Sequence, residues 1–390
     1  MVMKRYALFF IIYLFSFIAY SQTLSITVGA ECTKEYFPLL KNKRIAVLSN
    51  HTGMVGKEHL VDFLHRKGFN LVLIFSPEHG FRGNADAGEH VASSVDEKSG
   101  IPIYSLYQEK SGKPSNEAMD SFDLLLVDIQ DVGLRFYTYY ASMVRMMDAC
   151  AEFNKKVLIL DRPNPNGHYV DGPVLDMKYK SGVGWLPIPV VHGMTLGELA
   201  MMVNGEKWLT ASRICDVTVI KCKNYTHHTL YRLPIAPSPN LPNMKSIYLY
   251  PSVCFFEATP ISLGRGTSLP FQVYGHPNML GYTFNFTPKS VFGSKNPPQL
   301  NKLCYGVNLC EIPDSIIWKN GVDLSYLIDA YNNLNIGDHF FRPFFELLIG
   351  KDYVRKMIED GKSAKEIKEM WKTEVENFKK QRAPYLLYSE

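Results

Sequence analysis

Asn70-Leu-Val-Leu-Ile-Phe75 runs without a break into Ser76-Pro-Glu-His-Gly-Phe-Arg-Gly83. The first segment is a short apolar run, the pattern of a parallel strand buried on both faces. Immediately past its carboxyl end come a proline, an acid, an imidazole, a guanidinium and two glycines. Ligands of open α/β sheets bind outside the carboxyl ends of the strands. Glu78, His79 and Arg82 are therefore expected to face a crevice. The competing reading is a polar loop that merely meets water.

The same strand-then-polar-loop pattern recurs on either side. Lys43–Asn50 reads as a first buried strand, ending in Ser49-Asn50-His51-Thr52-Gly53. A helix follows over Glu58–Gly68, with Leu60, Phe63 and Leu64 on one face and Gly68 where a C-cap belongs. Asn84–Gly100 is polar and small, an exposed flap or a long loop. Ile101–Tyr107 is a short strand. Phe122–Ile129 is a strand whose end carries Asp128, Gln130 and Asp131, with Arg135 and Tyr137 just beyond. Residues 138–153 have helical periodicity. Lys156–Leu160 is another strand, ending in Asp161-Arg162-Pro163-Asn164. His192-Gly-Met-Thr195 leads into a helix in which Thr195 and Glu198 form a capping box, and Ala211–Lys221 alternates like a strand. This rhythm means α/β architecture with a doubly wound, mostly parallel sheet. The proline-dense stretch Leu233–Pro242 excludes regular structure and is the candidate linker, dividing the mature chain into residues 22–240 and 241–390. The second half carries Glu257, a glycine-rich Gly264-Arg265-Gly266-Thr267, aromatic strands around Tyr282–Phe286, and closing helices over Val322–Leu334 and Ser363–Lys379.

The 390 residues are 46% hydrophobic and 21% charged, an ordinary globular composition with room for two cores. The formal charge of +4, less Lys4 and Arg5 of the leader, leaves +2, and there is no long basic run, so nucleic acid is not an expected partner. Residues 1–21 read as a cleaved signal peptide. A basic start precedes the apolar Tyr6–Ala19, which is short for a spanning helix, and Ala19-Tyr20-Ser21 is a small-x-small cleavage pattern. A secreted or periplasmic protein follows, with no stable membrane insertion after cleavage. Seven cysteines would permit disulfides in that compartment, and Cys304 with Cys310 is the pair able to close a loop.

A doubly wound sheet gathers the ends at Asn50, Glu78, Asp131 and Asp161 into one rim. That rim carries Glu78, Asp128, Asp131 and Asp161 with Arg82, Arg135, Arg162, His51, His79 and His192. Paired carboxylates among cations suit acid/base hydrolysis, in which one acid is held protonated and the other ionised. Glu78, flanked by Phe75 and Phe81, is the better general acid. Each residue has a plainer role open to it. Asp161-Arg162 can be a local ion pair, Asp131 can cap the following turn, and His192 can be a satisfied turn histidine. There is no GxGxxG after the first strand, no GxSxG elbow, no HExxH and no CxxC. Neither cofactor nor metal is expected, although His79, Asp128, Asp131 and His192 would be the ligands of one.

Seven motifs in order resemble the NamZ-type exo-β-N-acetylmuramidases: Ser49–Gly53, Ser76–Gly83, Asp128–Tyr139, Asp161–Gly167, His192–Thr195, Pro237–Pro242 and Gly264–Thr267. The match runs from about Lys43 to the C-terminus. It implies a Rossmann-like catalytic N-terminal domain, a smaller α/β C-terminal domain, and an active site in the cleft between them. It implies hydrolytic removal of N-acetylmuramic acid from the non-reducing end of β-1,4-linked MurNAc-GlcNAc oligosaccharides derived from peptidoglycan. It places the catalytic glutamate at Glu78, with Asp128, Asp131 and Asp161 as candidate second groups. The substrate contacts expected are Asn50, His79, Arg82, Gln130, Arg135, Tyr137, Arg162, Asn164, His192, Glu257, Arg265 and Thr267. Of these, Arg82, Arg135 and Arg265 are the choices for the lactyl carboxylate. A muropeptide-binding protein without chemistry, or a hydrolase of another amino sugar, remain alternatives at this stage.

Overall fold

The computed structural model describes residues 25–77, 80–82, 94–106 and 113–390. The leader at 1–21, Glu78, His79 and the 84–93 part of the expected flap lie outside the described residues. The central sheet has seven strands among those described. They are β1 Ile45–Ser49, β2 Leu71–Ser76, β3 Ser94–Val95, β4 Pro102–Ser105, β5 Leu124–Asp128, β6 Lys156–Leu160 and β7 Asp216–Ile220. Their order is 3-4-2-1-5-6-7. All pairings are parallel except the short edge pair β3–β4. The chain thus winds outward from β1 to β2 and β4, then returns to lay β5, β6 and β7 on the other side. The reversal falls between β1 and β5.

Side-chain alternation explains why both faces need helices. Ala46, Leu48, Phe75, Leu125, Val127, Val157 and Ile159 point to one face, against α4 (Tyr139–Glu152) and α5 (Leu196–Gly205). Ile45, Val47, Ile74, Leu124, Leu126, Leu158 and Leu160 point to the other, against Tyr36 and Leu40 of α1 (Thr33–Leu40) and Leu60, Val61 and Leu64 of α2 (Leu60–Arg66). Every residue of β1 and β5 is buried. A short helix, α3 (Asn116–Asp120), precedes β5.

The second half holds an antiparallel sheet of β8 Val273–His276, β9 Phe284–Phe286 and β10 Cys304–Asn308, with β10 central. Around it lie α6 Met244–Val253, α7 Asp314–Asn320, α8 Ser325–Leu334, α9 Phe344–Ile349, α10 Tyr353–Glu359 and α11 Ala364–Arg382. Its apolar side chains are continuous with those on the α4–α5 side of the large sheet. Three expectations change. Ser94–Val95 of the presumed flap is an edge strand paired with β4. The proline-rich stretch is irregular but not a free linker: Ser238, Asn240 and Leu241 are buried, and it is tied to both halves as described below. Cys304 and Cys310 are free thiols. Cys304 begins a strand and turns its Sγ toward Lys302 O, whereas Cys310 turns toward Gln272 Oε1.

Candidate functional site

At the reversal between β1 and β5, Ser49 stands opposite Asp128 and its Oγ donates to Asp128 O at 2.8 Å. Gly53 packs so closely here that a Cβ would fall 2.1 Å from Ser49 Oγ. Between them a short relay is built. Gln130 N–H donates to Thr52 Oγ1 (3.0 Å), whose own hydroxyl donates to Asn50 Oδ1 (2.6 Å), and Thr52 N–H donates to the same oxygen (3.1 Å). Because a backbone N–H can only donate, Oδ1 must face Thr52 and the amide nitrogen must face away. Asn50 is fully buried, yet its Nδ2 has no acceptor. An unpaired buried donor costs roughly 1–3 kcal/mol and marks a place where a ligand atom is expected. His59 supports the turn from below, its Nδ1 accepting from Val61 N–H, so that Nε2–H donates to Asn50 O at 2.8 Å. Burial lowers its pKa, which keeps it in that neutral form.

The three rim aspartates have different environments. Asp128 is buried and gripped by Arg162 through Nε (2.5 Å) and a second nitrogen (2.9 Å), and Arg162 also donates to Met54 O. The expected Asp161–Arg162 pair is therefore replaced by Asp128–Arg162, because the two strand ends lie side by side. Asp161 turns instead under the first turn of α5. There it accepts from Thr195 Oγ1 (2.7 Å), Gly197 N (2.9 Å) and Tyr388 OH (2.7 Å). Burial pushes its carboxyl up to about 6 against those donors. Asp131 accepts from Gly133 N (2.7 Å) and Tyr140 N (3.2 Å), the latter in the first turn of α4. It has no cationic partner among the described residues, and burial pushes it up to about 7 despite the backbone donors. It thus both caps a helix and changes charge near neutrality.

The three arginines separate as sharply. Arg82 is held by Asp96 (3.0 and 2.7 Å) and Asp62 (3.2 and 2.9 Å), which pins Phe81 and Arg82 onto α2. Burial alone would raise the Asp62 carboxyl, but Arg82 and Lys98 outweigh it and bring it down to about 2. Arg135 is completely buried and donates to four carbonyls, those of Pro173, Ile188, Leu348 and Ile349. It tethers the end of α9 and is not placed to receive a carboxylate. Arg265 rises from a turn made by Gly264 and Gly266, both with positive φ and therefore suited to glycine. It pairs with Glu257 through Nε and one terminal nitrogen and lies over the Phe271 ring (4.8 Å). Its other terminal nitrogen makes no protein contact among the described residues.

Arg265 reaches the rim through aromatic contacts: Phe271 packs on Tyr250 (4.7 Å), and Tyr250 on Tyr137 (6.3 Å). Tyr137 OH donates to Pro237 O (2.8 Å), and His51 Nε2 lies 2.9 Å from Ala236 O, so the proline-rich stretch forms the seam. Asn240 Nδ2 extends it to Gly293 O. Other expected contacts are committed internally. Gln130 Nε2 bridges Asp131 O and Pro163 O (both 2.8 Å). Asn164 donates to Met194 O and accepts from Asn166 N. Thr267 closes the Arg265 turn onto Gly264 O. His192 is buried, its Nδ1 accepts from Met194 N–H, and its Nε2 has no partner. Burial, then the nearby Arg382 cation, lowers its pKa to about 3. Thr52, His59 and the C-terminal Tyr388 escaped the sequence reading. Thr52 alone had a signal, its place inside the quoted Ser49–Gly53 motif.

Two family models match, the N-terminal domain of the exo-β-N-acetylmuramidase NamZ over residues 45–245 and its C-terminal domain over 248–388. The peptidoglycan β-N-acetylmuramidase NamZ of Bacillus subtilis (strain 168) is 38% identical, spanning 91% of this chain and 89% of that one. Two crystal structures of DUF1343 family proteins from Bacteroides fragilis NCTC 9343 share the fold. One is 72% identical with a TM-score of 0.89, covering 94% of this chain and 99% of the other. The second is 28% identical with a TM-score of 0.79, covering 93% and 99%.

Proposed function

Because this chain belongs to the NamZ family of exo-β-N-acetylmuramidases, we infer that it is a glycoside hydrolase releasing N-acetylmuramic acid from the non-reducing end of peptidoglycan-derived MurNAc-GlcNAc chains. The observation that carries this to the present molecule is the strand-end crevice. There the unsatisfied Asn50 amide and the Asp131 carboxyl, neutral or charged according to small changes of pH, sit on adjacent strand ends.

Glu78 follows Pro77 at the end of β2 and is assigned the general acid. Its proton passes to the glycosidic oxygen as the C1–O bond breaks, and water supplies the new oxygen at C1. Asp131 is assigned the carboxylate that supports the oxocarbenium-like transition state. Asp128 is less suited because Arg162 already cancels its charge, and Asp161 because it is sealed beneath α5. Arg265 is assigned the lactyl carboxylate, with a free nitrogen that Arg82 and Arg135 lack. The leader read in residues 1–21 supports a secreted or periplasmic site of action. Incubation with a chromogenic β-N-acetylmuramide, beside the matching β-N-acetylglucosaminide, tests the reading. Release from the muramide alone, lost in a folded Glu78→Gln variant, is expected. Binding without release from either the glycoside or a natural disaccharide would mean a binding protein instead.

A further inference from the structure

Trp185 ends a tight turn in which Ser181 and Gly184 exchange both backbone hydrogen bonds (2.9 and 3.2 Å). The turn brings Lys180 beside the indole, with Nζ 4.2 Å from the ring centroid, and Arg145 of α4 approaches the same ring to 4.7 Å. Trp185 N–H donates to Tyr140 OH at 2.9 Å, which fixes the turn to α4. A cavity of about 340 Å³ opens here, with Trp208 and Leu209 completing its apolar lining.

The charges around this cavity do not balance. Asp148 is occupied by Thr210, accepting from its N–H and its hydroxyl (2.9 and 2.7 Å). Glu152 holds Lys113 (2.6 Å) and Arg213 (3.3 Å). Arg145 and Lys180 have no carboxylate partner among the described residues, and Arg145 Nε is buried without an acceptor. An aromatic face attracts cations but does not cancel their charge. Two uncompensated cations beside one indole therefore lack an anion. A flat aromatic wall with a guanidinium at its edge suits a sugar ring bearing a carboxylate, the ring lying on the indole and the carboxylate taking paired N–H donors. Arg145 lies five residues along α4 from Tyr140, so the pocket is on the flank of the helix and distinct from the strand-end crevice.

We propose that this pocket is a second carbohydrate site, which takes an acidic sugar through Arg145, Lys180 and the Trp185 face. Choosing N-acetylmuramic acid as the probe rests on the activity proposed above. Intrinsic fluorescence reports the site directly, since two of the four tryptophans, Trp185 and Trp208, line it. N-acetylmuramic acid should change the emission saturably, with a dissociation constant on the order of millimolar. N-acetylglucosamine and lactate should each be at least tenfold weaker. Arg145→Gln should weaken the response tenfold or more, and so should Lys180→Gln, whose side chain is on the surface and whose loss leaves the fold intact. Both variants should keep kcat/KM on the chromogenic muramide within twofold. A response absent from the native protein, preserved in both variants, or matched by lactate would overturn the site. A response without turnover of any muramide would instead remove the proposed activity and leave the site standing.

Discussion

Asn50 shows most clearly what a single side chain contributes. Its oxygen is doubly satisfied by Thr52 while its nitrogen, buried, has nothing to bond. A substrate oxygen at that nitrogen removes an existing penalty. Asn50→Asp keeps the acceptor that Thr52 uses and replaces the orphan donor by a second oxygen. The expected result is a fall in kcat/KM on the order of tenfold to a hundredfold, ~1.5–3 kcal/mol. Asn50→Ala should lose a similar factor and some stability as well, because Thr52 then loses its acceptor. Steady-state kinetics beside thermal melting distinguishes the two, and full activity in both variants would remove Asn50 from the site. The sequence places Asn50, Asp128, Asp131 and Asp161 at strand ends because apolar runs stop there. It does not say which of their atoms are already committed. Asp128 meets Arg162 across neighbouring strands, and Arg82 meets Asp62 and Asp96 across separate elements, pairings that leave no local pattern.

Elements explain why three arginines in similar motifs play different parts. The strands were legible because five-residue apolar runs are what a sheet covered on both faces requires, and the Thr195–Glu198 capping box announced the start of α5. Strand order and the packing of α9 were not, since both depend on contacts far apart in the chain. Arg135 is the consequence of that packing. It leaves the end of β5 and bonds the last carbonyls of α9, groups no helix can satisfy internally. Gly350 follows with φ +76, and a Cβ there would lie 2.9 Å from the guanidinium. Arg135→Met strands four buried carbonyls and should cost on the order of 3 kcal/mol or more in denaturant unfolding, while the molecules that remain folded keep their KM. Arg265→Met should behave in the opposite way. Its partly exposed pair with Glu257 supports about 1 kcal/mol or less, but KM for the muramide should rise tenfold or more. Equal stability losses in the two variants would contradict this division.

The whole molecule is closed by its last residues, and the closure is sensitive to pH. Leu387 N and Tyr388 N donate to Glu198, Ser389 O accepts from His227 N, and Tyr388 OH donates to Asp161 while accepting from Cys222 N. These contacts span up to 227 positions of sequence, and no motif announced them. Asp161 titrates at about 6 in the fold, above the ordinary aspartate value of about 3.9. Between those values the native state keeps a proton that the unfolded chain has released, so this group's contribution to stability declines as pH rises through 4–6 and is level above. Tyr388 acts against that decline, because its hydroxyl is worth more to the carboxylate than to the neutral acid. Tyr388→Phe should therefore cost ~1.5–3 kcal/mol at pH 8, where the lost bond is to a charged group, and ~0.5–1.5 kcal/mol at pH 4.5, where both partners are neutral. The loss of an acceptor for Cys222 N–H adds an equal amount at both. Urea unfolding of the native and substituted proteins at the two pH values measures the difference. A penalty as large at pH 4.5 as at pH 8 would mean that the tail is held by packing against Tyr225 and not by the charge on Asp161.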